Sequence, residues 1–189
     1  MGQSSIVLLG MIRSVAFLRA INVGGRRVKM SQLKELFESF GFLAVETFIA
    51  SGNVLFESVE ENGMAVETTI ASGLQAALGY EVSTFVRSLH ELASIVDYEA
   101  FPQHTLDKAA SFGIAFLSKP LSDEQTCTLM ALETDVDSFV SHGREVYWLC
   151  SVKQSQSTFS SAVMERRLGI RTTFRGVNTL RRVISKYPN

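Results

Sequence analysis

A chain of 189 residues with 46% hydrophobic and 20% charged side chains reads as an ordinary globular protein of one or two domains. That length buries enough surface for a proper core, which removes any need for disulfides or structural metals; the two cysteines, Cys127 and Cys150, point to a reducing compartment. The net charge of −1 is a near-neutral average over two basic ends and an acidic middle.

In chain order, Ile6 to Ile12 is an apolar run broken by Gly10, too short to span a bilayer. It also lacks the basic region and the small-residue cleavage site of a secretion signal. Residues 1–12 therefore read as an N-terminal extension, with a cytoplasmic location and no membrane partner as the expectation. Ser14 to Ile21 is an apolar run with β-branched members, the pattern of a buried strand. The loop Asn22-Val23-Gly24-Gly25-Arg26-Arg27 follows. Ser31 is the expected cap of a helix whose Leu33, Leu36, Phe37 and Phe40 share one face before Gly41 closes it. Thr47 to Ile49 and Val54 to Phe56 flank Ser51-Gly52-Asn53, which is a hairpin pattern. A helix from about Met64 to Leu78 turns Val66, Ile70, Leu74 and Ala77 inward, and Val82 to Val86 is a fourth strand. Ser88 and Glu91 form a capping box for a short helix ending near Val96.

Periodicity lapses from Asp97 to Ala110, so a linker is expected over residues 99–110. The pattern then restarts with a strand at Phe112 to Leu117 and a helix capped by Ser122 and Gln125 that runs through Leu132. A hairpin turns at His142-Gly143, with Val146 to Leu149 as its second strand. A helix from Thr158 to Leu168 ends at Gly169, a strand spans Arg171 to Arg175, and a last helix covers Asn178 to Lys186.

The two halves repeat each other. Val15-Ala16-Phe17-Leu18 matches Ile114-Ala115-Phe116-Leu117, and Leu78-Gly79, Arg87 and Leu92 match Leu168-Gly169, Arg175 and Leu180. The period is too long for a solenoid. Each half reads strand, helix, hairpin, helix, strand, helix. The fold class is therefore α+β, an internal duplication of ferredoxin-like βαββαβ units with a C-terminal helix each, residues 13–98 and 111–187. Such a sheet leaves one face open. The two copies either cover each other's open faces or extend one sheet into the next, and the pattern allows both.

Charge is distributed unevenly. Through Lys34 there are six basic residues and no acid, and after Glu165 there are seven and again no acid. That segregation favours an anionic partner at one surface, whereas two solvated basic faces without a partner are the plainer reading.

The richest motif is Asn22 to Lys29. Gly24 and Gly25 let backbone amides turn toward a ligand, while Arg26, Arg27 and Lys29 supply charge beside a helix start. It is neither a Walker loop nor a dinucleotide fingerprint. Ser51 and Asn53 offer a hydroxyl and an amide at the hairpin tip, where simple turn chemistry also accounts for them. Arg175 and Asn178 bracket the start of the last helix; the plainer reading there is an exposed arginine and an Asn cap. His90, His104 and His142 lack metal-ligand spacing, and no residues call for a metal or cofactor. No catalytic constellation stands out. Cys150 reads as core, and alternation turns one of Tyr147 and Trp148 inward.

Ala16-Phe17-Leu18-Arg19-Ala20-Ile21-Asn22-Val23-Gly24-Gly25 resembles the opening of a bacterial family, the domain-of-unknown-function family numbered sixteen ninety-seven, which usually reads A-F-L-R-G-I-N-V-G-G. Thr47 to Val54 resembles its T-Y-I-Q-S-G-N-V string, and Arg175 to Thr179 its R-N-W-N-T string. The resemblance implies two ferredoxin-like halves and brings no activity with it. Ala20 stands for the usual glycine, Ala50 for the glutamine, and Gly176-Val177 for Asn-Trp, which implies an altered or reduced site if the family uses those side chains.

Three functions follow as expectations. The first is a cytoplasmic protein binding a phosphorylated small molecule or nucleic acid through the Asn22–Lys29 loop. The second is an enzyme acting on an anionic substrate in a cleft lined by Asn22, Ser51, Asn53 and Asn178. The third is a scaffold with no ligand.

Overall fold

The computed structural model describes residues 10–22, 27–49 and 52–187. The chain forms β1 (Ile12–Leu18), α1 (Met30–Ser39), β2 (Leu43–Phe48), β3 (Asn53–Ser58), α2 (Gly63–Leu78), β4 (Thr84–Ser88) and α3 (Leu89–Asp97). A one-turn α4 (Gln103–Leu106) lies in the connection. Then come β5 (Ser111–Phe116), α5 (Asp123–Met130), β6 (Asp137–His142), β7 (Glu145–Cys150), α6 (Ser161–Leu168), β8 (Thr173–Gly176) and α7 (Val177–Lys186). Two four-stranded antiparallel sheets result, ordered β2-β3-β1-β4 and β6-β7-β5-β8. The fold is mixed α+β.

Period-two alternation decides which surface each strand residue joins. On β1, Ala16 and Leu18 face α1 and α2, where they meet Leu33, Phe37, Ile70 and Leu74. On β5, Ala115 and Leu117 face α5 and α6, with Leu129 and Met164. The intervening residues point the other way, and both sets enter one central cluster: Val15 and Phe17 from the first sheet, Ile114 and Phe116 from the second. The sheets therefore cover each other's open faces. Phe17 and Phe116 stack at the centre, with ring centroids 4.3 Å apart and planes 19° from parallel. Helices α3 and α7 close the same cluster through Leu89, Leu92, Val177 and Leu180.

Local signals account for most element ends. Both capping boxes are present, Ser88 with Glu91 and Ser122 with Gln125. Gly79 and Gly169 end α2 and α6 in the left-handed conformation. The first helix differs from expectation: it starts at Met30 after Lys29, and Ser31 is its second residue rather than its cap. The Asn22 side-chain oxygen accepts the Val28 amide at 2.8 Å, and Val28 is buried, so the chain is already anchored and turning at Lys29. The last helix likewise begins at Val177, with Gly176 as the capping position, so Asn178 does not cap it. Tyr147 and Trp148 are both buried, on opposite faces of β7, and Cys150 is core.

One buried carboxylate organises the second half. Asp137 is fully buried at the start of β6 and accepts from Ser157 Oγ at 2.7 Å, Trp148 Nε1 at 2.8 Å and Thr134 Oγ1 at 3.1 Å. Burial alone pushes its carboxyl up, but these donors outweigh that and hold it below its ordinary value. A depressed folded-state pKa gives stability that is present above the unfolded value of about 3.9 and is lost as pH falls through the folded value. Asp137→Asn should therefore be less stable than the parent at neutral pH and converge on it in acid. Urea unfolding of both proteins between neutral pH and pH 2 checks this; parallel losses would assign the acid sensitivity elsewhere.

Candidate functional site

The end of β1, the start of β3 and the strand β8 meet at one rim of the interface between the sheets. Arg175 on β8 is the residue that joins them. Its Nε donates to Asn53 Oδ1 at 2.6 Å and its Nη2 to the Leu18 carbonyl at 3.2 Å. Its Nη1 donates to Thr173 Oγ1 at 2.7 Å and to the Phe174 carbonyl at 2.8 Å. The guanidinium lies 5.5 Å from the centroid of the Phe17 ring. Arg175 is only 9% exposed, not the solvated arginine its sequence position suggests, and burial lowers its pKa to about 10. Asn53, 1% exposed, donates in turn to the Phe48 carbonyl at 3.0 Å.

The backbone around this rim is tightly specified. The Leu18 amide donates to the Gly52 carbonyl at 2.8 Å. Gly52 has φ +72°, and a Cβ there would come within 3.1 Å of the Leu18 carbonyl oxygen, so only glycine suits the turn. Ile49 at φ 49° and Ala20 at φ 60° also occupy the left-handed region, which is costly for a β-branched side chain. Ala20 stands where the resembling motif carries glycine. Nearby, Arg182 and Lys186 lie over the Phe48 ring at 5.6 and 5.8 Å, Lys186 stands 3.5 Å from Glu46, and Arg19 forms an ion pair with Glu165.

A second arginine sits in the corresponding place at the other end of the interface. Arg87 on β4 donates through Nε to Glu145 Oε1 at 2.7 Å, through Nη2 to the Leu117 carbonyl at 3.0 Å and through Nη1 to the Val86 carbonyl at 2.6 Å. It lies 5.5 Å from the Phe116 ring. Leu117 answers to Leu18, Phe116 to Phe17, and Glu145 to Asn53. The chemistry differs at one position, a carboxylate beside Arg87 and an amide beside Arg175. Glu67 adds a second carboxylate 3.4 Å from Arg87. Burial raises the Glu67 pKa above its ordinary value and lowers that of Arg87.

The residues singled out from sequence do not all come to one place. Asn53 and Arg175 are brought together, and Asn22 clasps its own loop. Arg27 and Lys29 are exposed and in none of the ion pairs among the described residues. Asn178 opens onto a separate cleft of about 450 Å³ with Gln103, Ser111 and Arg181. Gly24, Gly25, Arg26 and Ser51 lie outside the described residues. The Arg87–Glu145–Glu67 group escaped the sequence reading, although the echo of Arg87 in Arg175 was its one visible sign. No cluster of His, Cys, Asp or Glu among the described residues is arranged to hold a metal ion, and no helix among them is long and apolar enough to cross a membrane.

Residues 11–147 match the model of a family described as a protein of unknown function, DUF1697. The chain belongs to the DUF1697 family. The matched range takes in the opening and hairpin strings and ends before Arg175. No curated protein matches the sequence. Among solved structures, the conserved bacterial protein SP0830 from Streptococcus pneumoniae is similar, at a TM-score of 0.75 and 22% identity, over 95% of this chain and 100% of that one. At that identity, what this DUF1697 chain shares with the pneumococcal protein is the fold.

Proposed function

We propose that this DUF1697 protein binds a small phosphorylated molecule, or the phosphates of a nucleic acid, at the rim built around Arg175. The observation that carries the reading is the hydrogen bonding of Arg175 to Leu18 and Asn53, because it brings the two acid-free ends of the chain to one place. The ligand set is Asn22, Gly24, Gly25, Arg26, Arg27 and Lys29 from the loop, Ser51 and Asn53 from the hairpin, and Arg175 from the last segment; Asn178, on its separate cleft, is not part of it. The same reading takes the chain as a duplicated ferredoxin-like unit acting in the cytoplasm. Residues 13–98 and 111–187 form the copies, joined by 99–110 and preceded by an extension over 1–12. The equal strand order of the two sheets supports this.

Phosphate contacts release counterions, so affinity should fall steeply with salt. Titrating inorganic phosphate, pyrophosphate, AMP and a short single-stranded RNA at low and high salt, read by thermal shift and calorimetry, separates small-molecule from nucleic-acid binding. Arg26→Ala with Arg27→Ala should weaken the tightest of these by about tenfold or more while changing stability within about 0.5 kcal/mol. Absence of binding at low salt, or binding that the double variant leaves unchanged, would end the proposal.

A further inference from the structure

Another cleft lies away from the Arg175 rim. It has a volume of about 580 Å³, within the range of small-molecule sites, and lies between the two halves near Arg87. Its charges segregate by half. Glu60 and Glu61 from the β3–α2 connection and Glu91 from the first turn of α3 line the first-half wall. Lys119, after β5, and Arg144, before β7, line the second-half wall. Met64, Val66, Val86 and Pro120 supply apolar surface between them.

The walls come within ionic reach of each other at one point only, where Arg144 Nη2 stands 3.6 Å from Glu91 Oε1. Arg144 is also 3.5 Å from Glu67, and both separations are longer than a charge-assisted hydrogen bond. Lys119, Glu60 and Glu61 take part in none of the ion pairs among the described residues. Lys119 on one wall and Glu60 and Glu61 on the other, outside any ion pair among the described residues and with apolar surface between them, are complementary to a molecule carrying both signs and an apolar body.

We infer that this cleft binds a small zwitterion with an aliphatic side chain, of the class of free α-amino acids and short peptides. The carboxylate lies toward Arg144 and Lys119, the ammonium toward Glu60 and Glu61, and the side chain against Met64, Val86 and Pro120. An acid of the same shape without the amine would face the glutamates unpaired, and an ester would leave the cations unanswered. The site is distinct from the Arg175 rim and stands whether or not that rim binds an anion.

The test is calorimetric titration of the full chain with leucine and with trileucine, which distinguish the free amino acid from the peptide. 4-Methylpentanoate and leucine methyl ester each remove one charge. One of the zwitterions should bind, and each analogue should bind it at least about tenfold more weakly. Lys119→Ala and Glu61→Gln, both exposed positions that leave the fold intact, should each weaken the zwitterion by about fivefold or more. The inference is overturned if neither zwitterion binds up to about 10 mM, if the analogues bind as well as leucine, or if both variants bind as the parent does.

Discussion

Replacing Arg87 by alanine is expected to cost about 3–5 kcal/mol, a large part of the stability of a protein this size. The side chain is 1% exposed and holds the carboxylate of Glu145 from the other sheet at 2.7 Å. It also satisfies the carbonyls of Leu117 and Val86. Truncation leaves two buried carboxylates, Glu145 and Glu67, without this cation, which is far costlier than never having placed a charge there. The loss should depend on pH in a defined direction. Burial already raises the Glu67 carboxyl and loss of Arg87 removes a cation that opposes this, and an acid with a raised folded-state pKa favours folding most below its unfolded value of about 4.3. That contribution is lost as pH rises through the folded value. The deficit of Arg87→Ala should therefore be largest at neutral pH and shrink toward pH 4. Urea unfolding at both pH values decides the matter; a deficit under about 1 kcal/mol, or one indifferent to pH, would show that the ion pair is not what holds this end of the interface.

Phe17→Ala is the second large effect, at about 3–5 kcal/mol from lost burial and the cavity left behind. Phe17 is completely buried and stacked on Phe116, so the cavity opens between the two sheets rather than inside either half. Location gives the prediction its sharper form. The single tryptophan, Trp148, sits in the outer core of the second sheet, away from Phe17. If the halves unfold as one cooperative unit, the mutation in the first sheet shifts the Trp148 fluorescence transition as far as the circular-dichroism transition. A double-mutant cycle with Phe116→Ala should give a coupling of about 0.5–1.5 kcal/mol. Two separated transitions, with the fluorescence midpoint unmoved, would mean that the halves fold independently despite the shared core.

Most secondary structure was legible because its signals are local. A capping box spans three residues, as in Ser88 with Glu91, and alternation on β1 separates Val15 and Phe17 from Ala16 and Leu18 within one strand. Asn53 and Arg175 were each legible as polar residues worth attention. Their plainer readings, turn chemistry and a solvated arginine, came from neighbours in sequence. Neither suggests a 2.6 Å bond between residues 122 positions apart. Ser31 misled for a related reason: it has the right chemistry for a cap, but the Asn22–Val28 bond and the burial of Val28 start the turn earlier.

What the sequence determined by itself was the order of strands and helices and the segregation of charge into basic ends and an acidic middle. Those depend on periodicity and composition, which act over a few residues at a time. Tertiary structure alone decided that the open faces of the sheets close on each other, because burying Phe17 on Phe116 depends on surfaces nearly a hundred residues apart. It also decided that Arg87 and Arg175 are buried clasps of that interface and that Glu145 and Asn53 are their partners. A charged side chain is kept out of water only when its partners are already in place, and partners supplied by the other half of the chain appear only once the halves have packed.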